Sequence, residues 1–138
     1  MAEQHYNGGC HCGAVRYEAD IDLGQGTLRC NCTLCSKTRA WFAFIGADKF
    51  TLTSGSDSLL DYRWKPPSKP APNITYHSCS TCGVRTHAEG KGPDGKAMAA
   101  IFVATLEGAD PAQLANSVRY VDGLHEQFHR PPEHTDAL

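Results

Sequence analysis

Three cysteines crowd into six consecutive residues, and this spacing constrains the fold of the chain more than any other feature. Cys30, Cys32 and Cys35 form a C-x-C-x-x-C segment. At such short spacing the three sulfurs can converge on one tetrahedral ion, which is the readiest explanation for the crowding. Three thiolates leave the fourth position of a four-coordinate zinc open, as catalytic zinc sites do. The segment therefore predicts an open zinc site.

The other four of the seven cysteines stand in two close pairs, one C-x-C and one C-x-x-C. They are Cys10, Cys12, Cys79 and Cys82. Two close pairs are typical of a closed, structural zinc site, which adds free energy to folding when it joins distant segments. We therefore predict two zinc ions per chain, one structural and one catalytic. The spacing alone also permits Cys30, Cys32 or Cys35 to share a ligand with either pair.

Composition limits the cellular setting and the partners. The chain has 138 residues, of which 41% are hydrophobic, and a net charge of -2. Such a balance gives no basic surface for nucleic acid or for an anionic membrane. No apolar run approaches the roughly 18 residues that span a bilayer, and residues 1–9 lack the apolar core of a signal peptide. We expect a cytoplasmic protein, where reduced cysteines favour metal binding over disulfides.

The sequence predicts one zinc-binding domain over residues 1–130, followed by a mobile tail over residues 131–138. Short alternating runs predict a mainly β fold with almost no helix. Strands are expected at residues 14–19, 27–29, 41–45, 49–53, 59–64, 73–77, 84–89 and 97–106. Residues 65–72 hold four prolines and predict an exposed loop. Asp110 and Pro111 predict the cap and first position of one helical turn.

The segment at residues 125–129 matches H-E-x-x-H, the helix motif of zinc proteases. That motif needs a helix that carries both histidines on one face, together with a third ligand. Gly123 precedes the segment, and two prolines at residues 131–132 end it almost at once. We therefore expect an edge strand or turn with surface histidines at this place, and no protease.

Two histidines are candidates to close the three-cysteine segment. If His11 or His77 supplied a fourth ligand, the segment would form a second structural zinc site. Nothing within the segment itself supplies that ligand, which favours the open site.

The residues that follow the three cysteines also allow two interpretations. Trp41, Phe42 and Phe44 either wall the open site or fill the core, and burial in the core is favoured for at least one face of this strand. Lys37 and Arg39 either attract an anionic substrate or form a solvated face.

The order of the cysteine motifs, C-x-C, then C-x-C-x-x-C, then C-x-x-C-G, resembles the glutathione-dependent formaldehyde-activating enzyme family, which includes centromere-protein-V-like members. Residues 9–15 are similar to the family's opening, residues 30–37 to its central knuckle, and residues 79–84 to its third motif. Residues 103–108 and 121–123 resemble its later, weaker segments. The similarity covers most of the chain.

This resemblance implies a mainly β, Mss4-like fold of several short, coiled antiparallel sheets that carry zinc sites. It implies a catalytic zinc on Cys30, Cys32 and Cys35. It implies a carbon–sulfur lyase type of activity, in which S-hydroxymethylglutathione is formed from, or cleaved to, formaldehyde and glutathione. The expected partners are therefore a small thiol and an aldehyde. The structural zinc is implied on Cys10, Cys12, Cys79 and Cys82.

In the expected mechanism an incoming thiol takes the fourth zinc position as a thiolate and attacks the aldehyde carbon. Zinc or a nearby donor then stabilises the charge that develops on oxygen. The sequence does not identify the proton donor, for which His11 and His77 are the candidates. The alternative function is a zinc-stabilised binding or scaffold module without turnover.

Overall fold

The computed structural model describes residues 2–138, which form ten short strands and two short α-helices. The strands are β1 Gln4–Gly9, β2 Arg16–Ile21, β3 Thr27–Cys30, β4 Trp41–Gly46, β5 Phe50–Ser54, β6 Leu59–Trp64, β7 Ile74–Cys79, β8 Arg85–Lys91, β9 Ala97–Phe102 and β10 Val118–Val121. The helices are α1 Thr33–Thr38 and α2 Pro111–Ser117, and single 3-10 turns link several strands.

The strands form two sheets. The smaller sheet has the order β1-β2-β5, and the larger has the order β10-β3-β4-β9-β8-β7-β6. Neighbouring strands are antiparallel, except that β10 pairs in parallel with β3. The parallel pair matters for function, because it brings the chain beyond β10 to the end of β3, where the three-cysteine segment begins.

The centre of the larger sheet is buried on both faces. Along β9, Ile101 packs toward the smaller sheet with Tyr17, whereas Phe102 packs on the opposite face with Phe42. This division follows from the alternation of side chains along a strand. The second face also carries Cys30 and other residues of the three-cysteine segment, so that segment lies on a hydrophobic cluster.

The mainly β fold with antiparallel sheets is confirmed, with 43% of residues in strands and 20% in helical turns. Helix is more abundant than the sequence indicated, because α1 and several 3-10 turns add to the one helical turn that was predicted. Strands β1 and β10 were not predicted, and the last predicted strand ends at Phe102 and continues as a 3-10 turn. The proline-containing residues 65–72 form no strand or helix, and α2 begins as predicted, with Asp110 as its cap and Pro111 at its start.

Candidate metal centres and active site

The four paired cysteines come together at one end of the molecule through two similar turns. The Cys10 N–H donates to the Val15 carbonyl at 3.0 Å, and the Cys79 N–H donates to the Val84 carbonyl at 2.9 Å. Each turn needs a residue in the left-handed region, which glycine adopts without a steric penalty. Gly13 and Gly83 supply it, with φ of 87° and 78°.

The positions of these sulfurs fit a tetrahedral metal ion. The Sγ atom of Cys12 lies 3.6 Å from that of Cys10 and 3.6 Å from that of Cys79. Four sulfurs that each lie about 2.3 Å from a tetrahedral zinc are about 3.8 Å apart, whereas disulfide sulfurs are about 2.05 Å apart. None of the seven cysteines forms a disulfide. With Cys82, these ligand atoms lie within 4.8 Å of one another, so the cluster could hold a metal.

The second cluster, here called the knuckle, consists of Cys30, Cys32 and Cys35, whose ligand atoms also lie within 4.8 Å of one another. Cys30 ends β3, and Cys32 caps α1. The Cys32 N–H donates to the Cys30 sulfur at 3.4 Å, and the Cys35 N–H donates to the Cys32 sulfur at 3.3 Å. The start of the helix therefore holds the three sulfurs on one side of the chain.

The knuckle also favours negative charge on sulfur. Hydrogen bonds from the Cys30 and Cys35 thiols, with backbone N–H groups, lower the pKa of Cys32 to about 3. Hydrogen bonds with the Cys30 and Cys32 sulfurs, together with burial, raise the pKa of Cys35. One of the three sulfurs is thus held as a thiolate by its surroundings, and a thiolate is the form that ligates a metal.

No other histidine, cysteine, aspartate or glutamate among residues 2–138 joins the knuckle group. His77 belongs to a different cluster, where its ring nitrogens contact Asp61 and Glu89. His11 is exposed and is absent from every such group that residues 2–138 form. The structure therefore does not support either histidine as a closing ligand.

The segment after β10 covers one side of the knuckle. A Cβ atom added to Gly123 would lie 2.2 Å from the Cys30 sulfur and 3.4 Å from the Cys32 Cβ. The first of these separations is far below van der Waals contact, so only glycine fits at this position without a shift of its surroundings. The parallel pairing of β10 with β3 creates this close approach, which the sequence did not reveal.

A hydrogen-bonded network extends from the knuckle to a histidine. The Asn31 side-chain amide donates to the Asp122 carboxylate at 2.9 Å, and the Asn31 side-chain oxygen accepts from the Leu124 N–H at 2.9 Å. The Nδ1 atom of His125 lies 2.8 Å from the same carboxylate. Asn31 and His125 lower the pKa of Asp122. Asp122 is 6% exposed, while the His125 side chain is 67% exposed, so the network presents an oriented imidazole to solvent.

A cleft of about 660 Å³ opens beside this network. Asn31, Asp122 and His125 line one part of it, and residues 130–134 line another. A second cavity of about 720 Å³ lies beside α2 and contains no cysteine or histidine. Of these two cavities, the cleft lined by Asn31 is therefore the one that combines space with a histidine and its carboxylate partner.

Residues 5–121 match the family model for the glutathione-dependent formaldehyde-activating enzyme. The chain belongs to this family. Its fold also resembles a crystal structure of a Rhodobacter sphaeroides protein from a structural genomics programme. The two chains share 26% sequence identity over 81% of this chain and 97% of the other, with a TM-score of 0.66. Membership links the chain to glutathione and formaldehyde, and confirms the resemblance that the cysteine motifs indicated.

The H-E-x-x-H segment of this family member is not a protease helix. A 3-10 turn covers Gly123–His125, and Glu126 adopts φ of 57°. His125 and His129 are both exposed, and residues 2–138 place neither in a metal-ligand group. The prediction of a turn with surface histidines is confirmed. The contact of His125 with Asp122 was missed, because Asp122 lies outside the motif and its hydrogen bond to Asn31 forms only in the folded chain.

The aromatic strand β4 divides between two environments. Phe42 packs against the hydrophobic cluster that contains Cys30 and Cys35, and its ring meets Phe102 edge-on at 4.7 Å. The Trp41 indole N–H donates to the Thr27 hydroxyl at 2.7 Å. Phe42 therefore both fills the core and supports the knuckle. Phe44 is 48% exposed.

The two basic residues that follow the knuckle have exposed side chains. Lys37 lies in the last turn of α1, and Arg39 ends the helix with φ of 55°. Both belong to the solvent-facing side of the helix.

Among residues 2–138, every helix is too short or too polar to span a bilayer.

Proposed function

We propose that this family member is a cytoplasmic, zinc-dependent enzyme of the carbon–sulfur lyase type. It would form and cleave S-hydroxymethylglutathione from glutathione and formaldehyde. The observation that carries the proposal is the knuckle, where three sulfurs converge without a fourth side-chain ligand from residues 2–138. Asn31, which lies between Cys30 and Cys32 in the sequence, lines a cleft. A closed structural site would have no room for a reactant, whereas three protein ligands leave one position for it.

We assign the two metals by the geometry of the clusters. Cys30, Cys32 and Cys35 would hold the catalytic zinc. When bound there, zinc supplies a Lewis acid that lowers the pKa of a thiol in its open position. The structural zinc would be held by Cys10, Cys12, Cys79 and Cys82.

His125 is our candidate for proton transfer. The Asp122 carboxylate accepts a hydrogen bond from Nδ1 of His125, which leaves Nε2 free to take a proton. The buried carboxylate also stabilises the imidazolium that results. His11 and His77, the candidates from the sequence, have no comparable position beside the knuckle.

The proposed reaction balances without any further reactant. The thiol S–H bond breaks, a C–S bond forms at the aldehyde carbon, and the C=O double bond becomes a C–O single bond. Nε2 of His125 accepts the thiol proton and returns it to the new alkoxide oxygen. Cleavage of the adduct follows the same path in reverse, with the hydroxyl proton leaving first.

The cleft also contains a positively charged side chain that can bind a carboxylate of glutathione. Arg130 lines it, and its guanidinium can pair with a carboxylate of the peptide in bidentate geometry. A simple alkyl thiol lacks that group. We therefore expect glutathione to be a better substrate than an uncharged thiol of similar reactivity.

The experiment compares two histidines of one motif. The rate of adduct formation from glutathione and formaldehyde is measured by exchange NMR in zinc-loaded wild type, His125→Gln and His129→Gln. We expect His125→Gln to lose about 10²- to 10⁴-fold in turnover, as for loss of a general acid–base group, with zinc content unchanged. His129→Gln, at a residue that is also exposed but lies outside the network, should resemble wild type.

Two results would count against the proposal. If zinc-loaded wild type does not exceed the uncatalysed rate, the chain is a zinc-stabilised binding or scaffold module. If wild type is active and His125→Gln equals His129→Gln, the lyase assignment stands and the function of His125 is wrong.

A further inference from the structure

Two buried histidines form a stacked pair that the proposed reaction does not use. His77 on β7 and His87 on β8 face each other across the ladder, with ring centroids 4.6 Å apart. They are only 7% and 2% exposed, and Phe50 lies against the His87 ring at 4.5 Å. Buried imidazoles lose the hydrogen bonds of water, so a folded chain must give their nitrogens partners.

Each histidine has an oxygen partner at the same ring nitrogen. Nδ1 of His77 lies 2.7 Å from an Asp61 carboxylate oxygen, and Nδ1 of His87 lies 2.8 Å from the Thr86 hydroxyl. When Nδ1 donates its hydrogen to such an acceptor, the tautomer is fixed and Nε2 carries a lone pair. Histidines that ligate metals are commonly oriented by this kind of contact.

A carboxylate completes the group. Glu89 lies two residues beyond His87 on β8, so both side chains point to the same face of the sheet. Its Oε2 atom is 2.9 Å from Nε2 of His77. One ligand atom from each of His77, His87 and Glu89 lies within 4.8 Å of the others. The Glu89 side chain is 56% exposed, so the cluster is accessible from solvent on the side of Glu89.

His5, in the smaller sheet, shows that two flanking carboxylates alone do not create a group of converging ligand atoms. His5 also lies between two acids, with Nδ1 at 2.7 Å from Asp20 and Nε2 at 3.6 Å from Glu18. Its side chain is 56% exposed, and among residues 2–138 it joins no group with converging ligand atoms. The buried second imidazole is what distinguishes the His77 cluster.

We propose that His77, His87 and Glu89 bind a divalent first-row transition metal at a site separate from both cysteine clusters. Asp61 and Thr86 orient the two imidazoles, and water fills the remaining coordination positions. Two imidazoles and one carboxylate are a harder donor set than thiolates. The site therefore suits ions such as Fe²⁺, Co²⁺ or Zn²⁺, and it does not depend on the lyase activity.

Burial is consistent with this donor set. Burial lowers the pKa of His87 to about 3, and the neighbouring His77 ring contributes to this lowering. The ring is therefore neutral, as a metal ligand must be.

The test adds Co²⁺ to protein whose cysteines are already loaded with zinc, and follows the zinc content in the same sample. Bound cobalt per chain is counted after dialysis, and the ring resonances of His5, His77 and His87 are recorded by ¹H–¹⁵N NMR. We expect one additional cobalt per chain and paramagnetic broadening of His77 and His87 but not of His5. Glu89→Gln should weaken cobalt binding at least 10-fold, whereas the matched change Glu18→Gln beside His5 should leave it unaltered.

The alternative is a charged His77 held between Asp61 and Glu89 without metal. In that case cobalt would leave the rings of His77 and His87 unbroadened, and the proposal would fail. Equal cobalt affinity in Glu89→Gln and Glu18→Gln would also overturn it. If Glu89→Gln does not fold, Asp61→Asn is the second variant, with an expected 10- to 100-fold loss of cobalt affinity. A cobalt affinity of Asp61→Asn equal to that of wild type would also overturn the proposal.

Discussion

The two cysteine clusters use the same ligand atom but join very different lengths of chain. Cys12 and Cys79, whose sulfurs are 3.6 Å apart, are separated by 67 positions. The whole knuckle lies within residues 30–35. Closing a loop costs more entropy when the loop is longer, so a metal that joins the distant pairs removes more freedom from the unfolded chain.

The hydrophobic surroundings reinforce the difference. Cys10 and Cys79 share their buried cluster only with Val15, whereas Cys30 and Cys35 belong to a cluster of nine buried residues. The four-cysteine cluster thus has little buried core of its own, while the knuckle lies on a larger hydrophobic cluster. Identical ligand chemistry can therefore stabilise a fold at one place and leave a coordination position for chemistry at another.

The largest expected effect comes from the four-cysteine cluster. We expect Cys79→Ser to leave little folded protein at 25 °C. Structural zinc contributes about 10–16 kcal/mol in small finger peptides, and the whole stability of a domain is only about 5–15 kcal/mol. Circular dichroism during thermal unfolding measures the loss, with the adjacent exposed Ser80→Ala as control. A Cys79→Ser variant that melts like wild type with unchanged zinc would contradict this account.

A smaller effect on folding, but a complete loss of activity, is expected at the knuckle. Cys32→Ser should lose one zinc and all adduct formation while it keeps the far-UV spectrum of wild type. The reason is that its metal closes only a short loop and has one fewer protein ligand. Metal analysis and circular dichroism of the purified variant check this directly.

A chelator titration of wild type sharpens the same comparison. The knuckle zinc should leave first, with the far-UV spectrum nearly unchanged until the second zinc is removed. Release of both ions in one step together with unfolding would show that the knuckle is a structural site after all.

The smallest effect is expected from the glycine that lies against the knuckle. Gly123→Ala would place a methyl group 2.2 Å from the Cys30 sulfur, so the knuckle or the chain after β10 must shift. Overpacking of this kind costs about 1–3 kcal/mol, and about 1.4 kcal/mol corresponds to a tenfold change in affinity. We expect zinc to bind the knuckle about 10-fold more weakly, with the four-cysteine cluster unaffected. Equal weakening of both zincs in competition with a chelator would refute this.

The sequence predicted most strands because their alternation and turn residues are local properties. Residues 59–64 are a strand with the expected bounds, and the Asp110–Pro111 start of α2 is also correct. Strand β1 was missed because its residues are mostly polar or glycine, and β10 because a run of four residues is too short to show an alternation. Pairing with β2 and β3 decides the structure of both. Helix α1 was missed because hydrogen bonds to cysteine sulfurs support its first turn.

By itself the sequence predicted the division of seven cysteines into four and three, and it indicated the family and the mainly β fold. The short spacing within each cysteine motif brings neighbouring sulfurs together, and that property is carried by the covalent chain, whereas the fold decides which motifs meet. Only the tertiary structure decided what surrounds the knuckle. Asp122 and His125 reach it because β10 pairs in parallel with β3, and His77 meets His87 because β7 pairs with β8. Such contacts depend on strand register between distant segments, and no local pattern records that register.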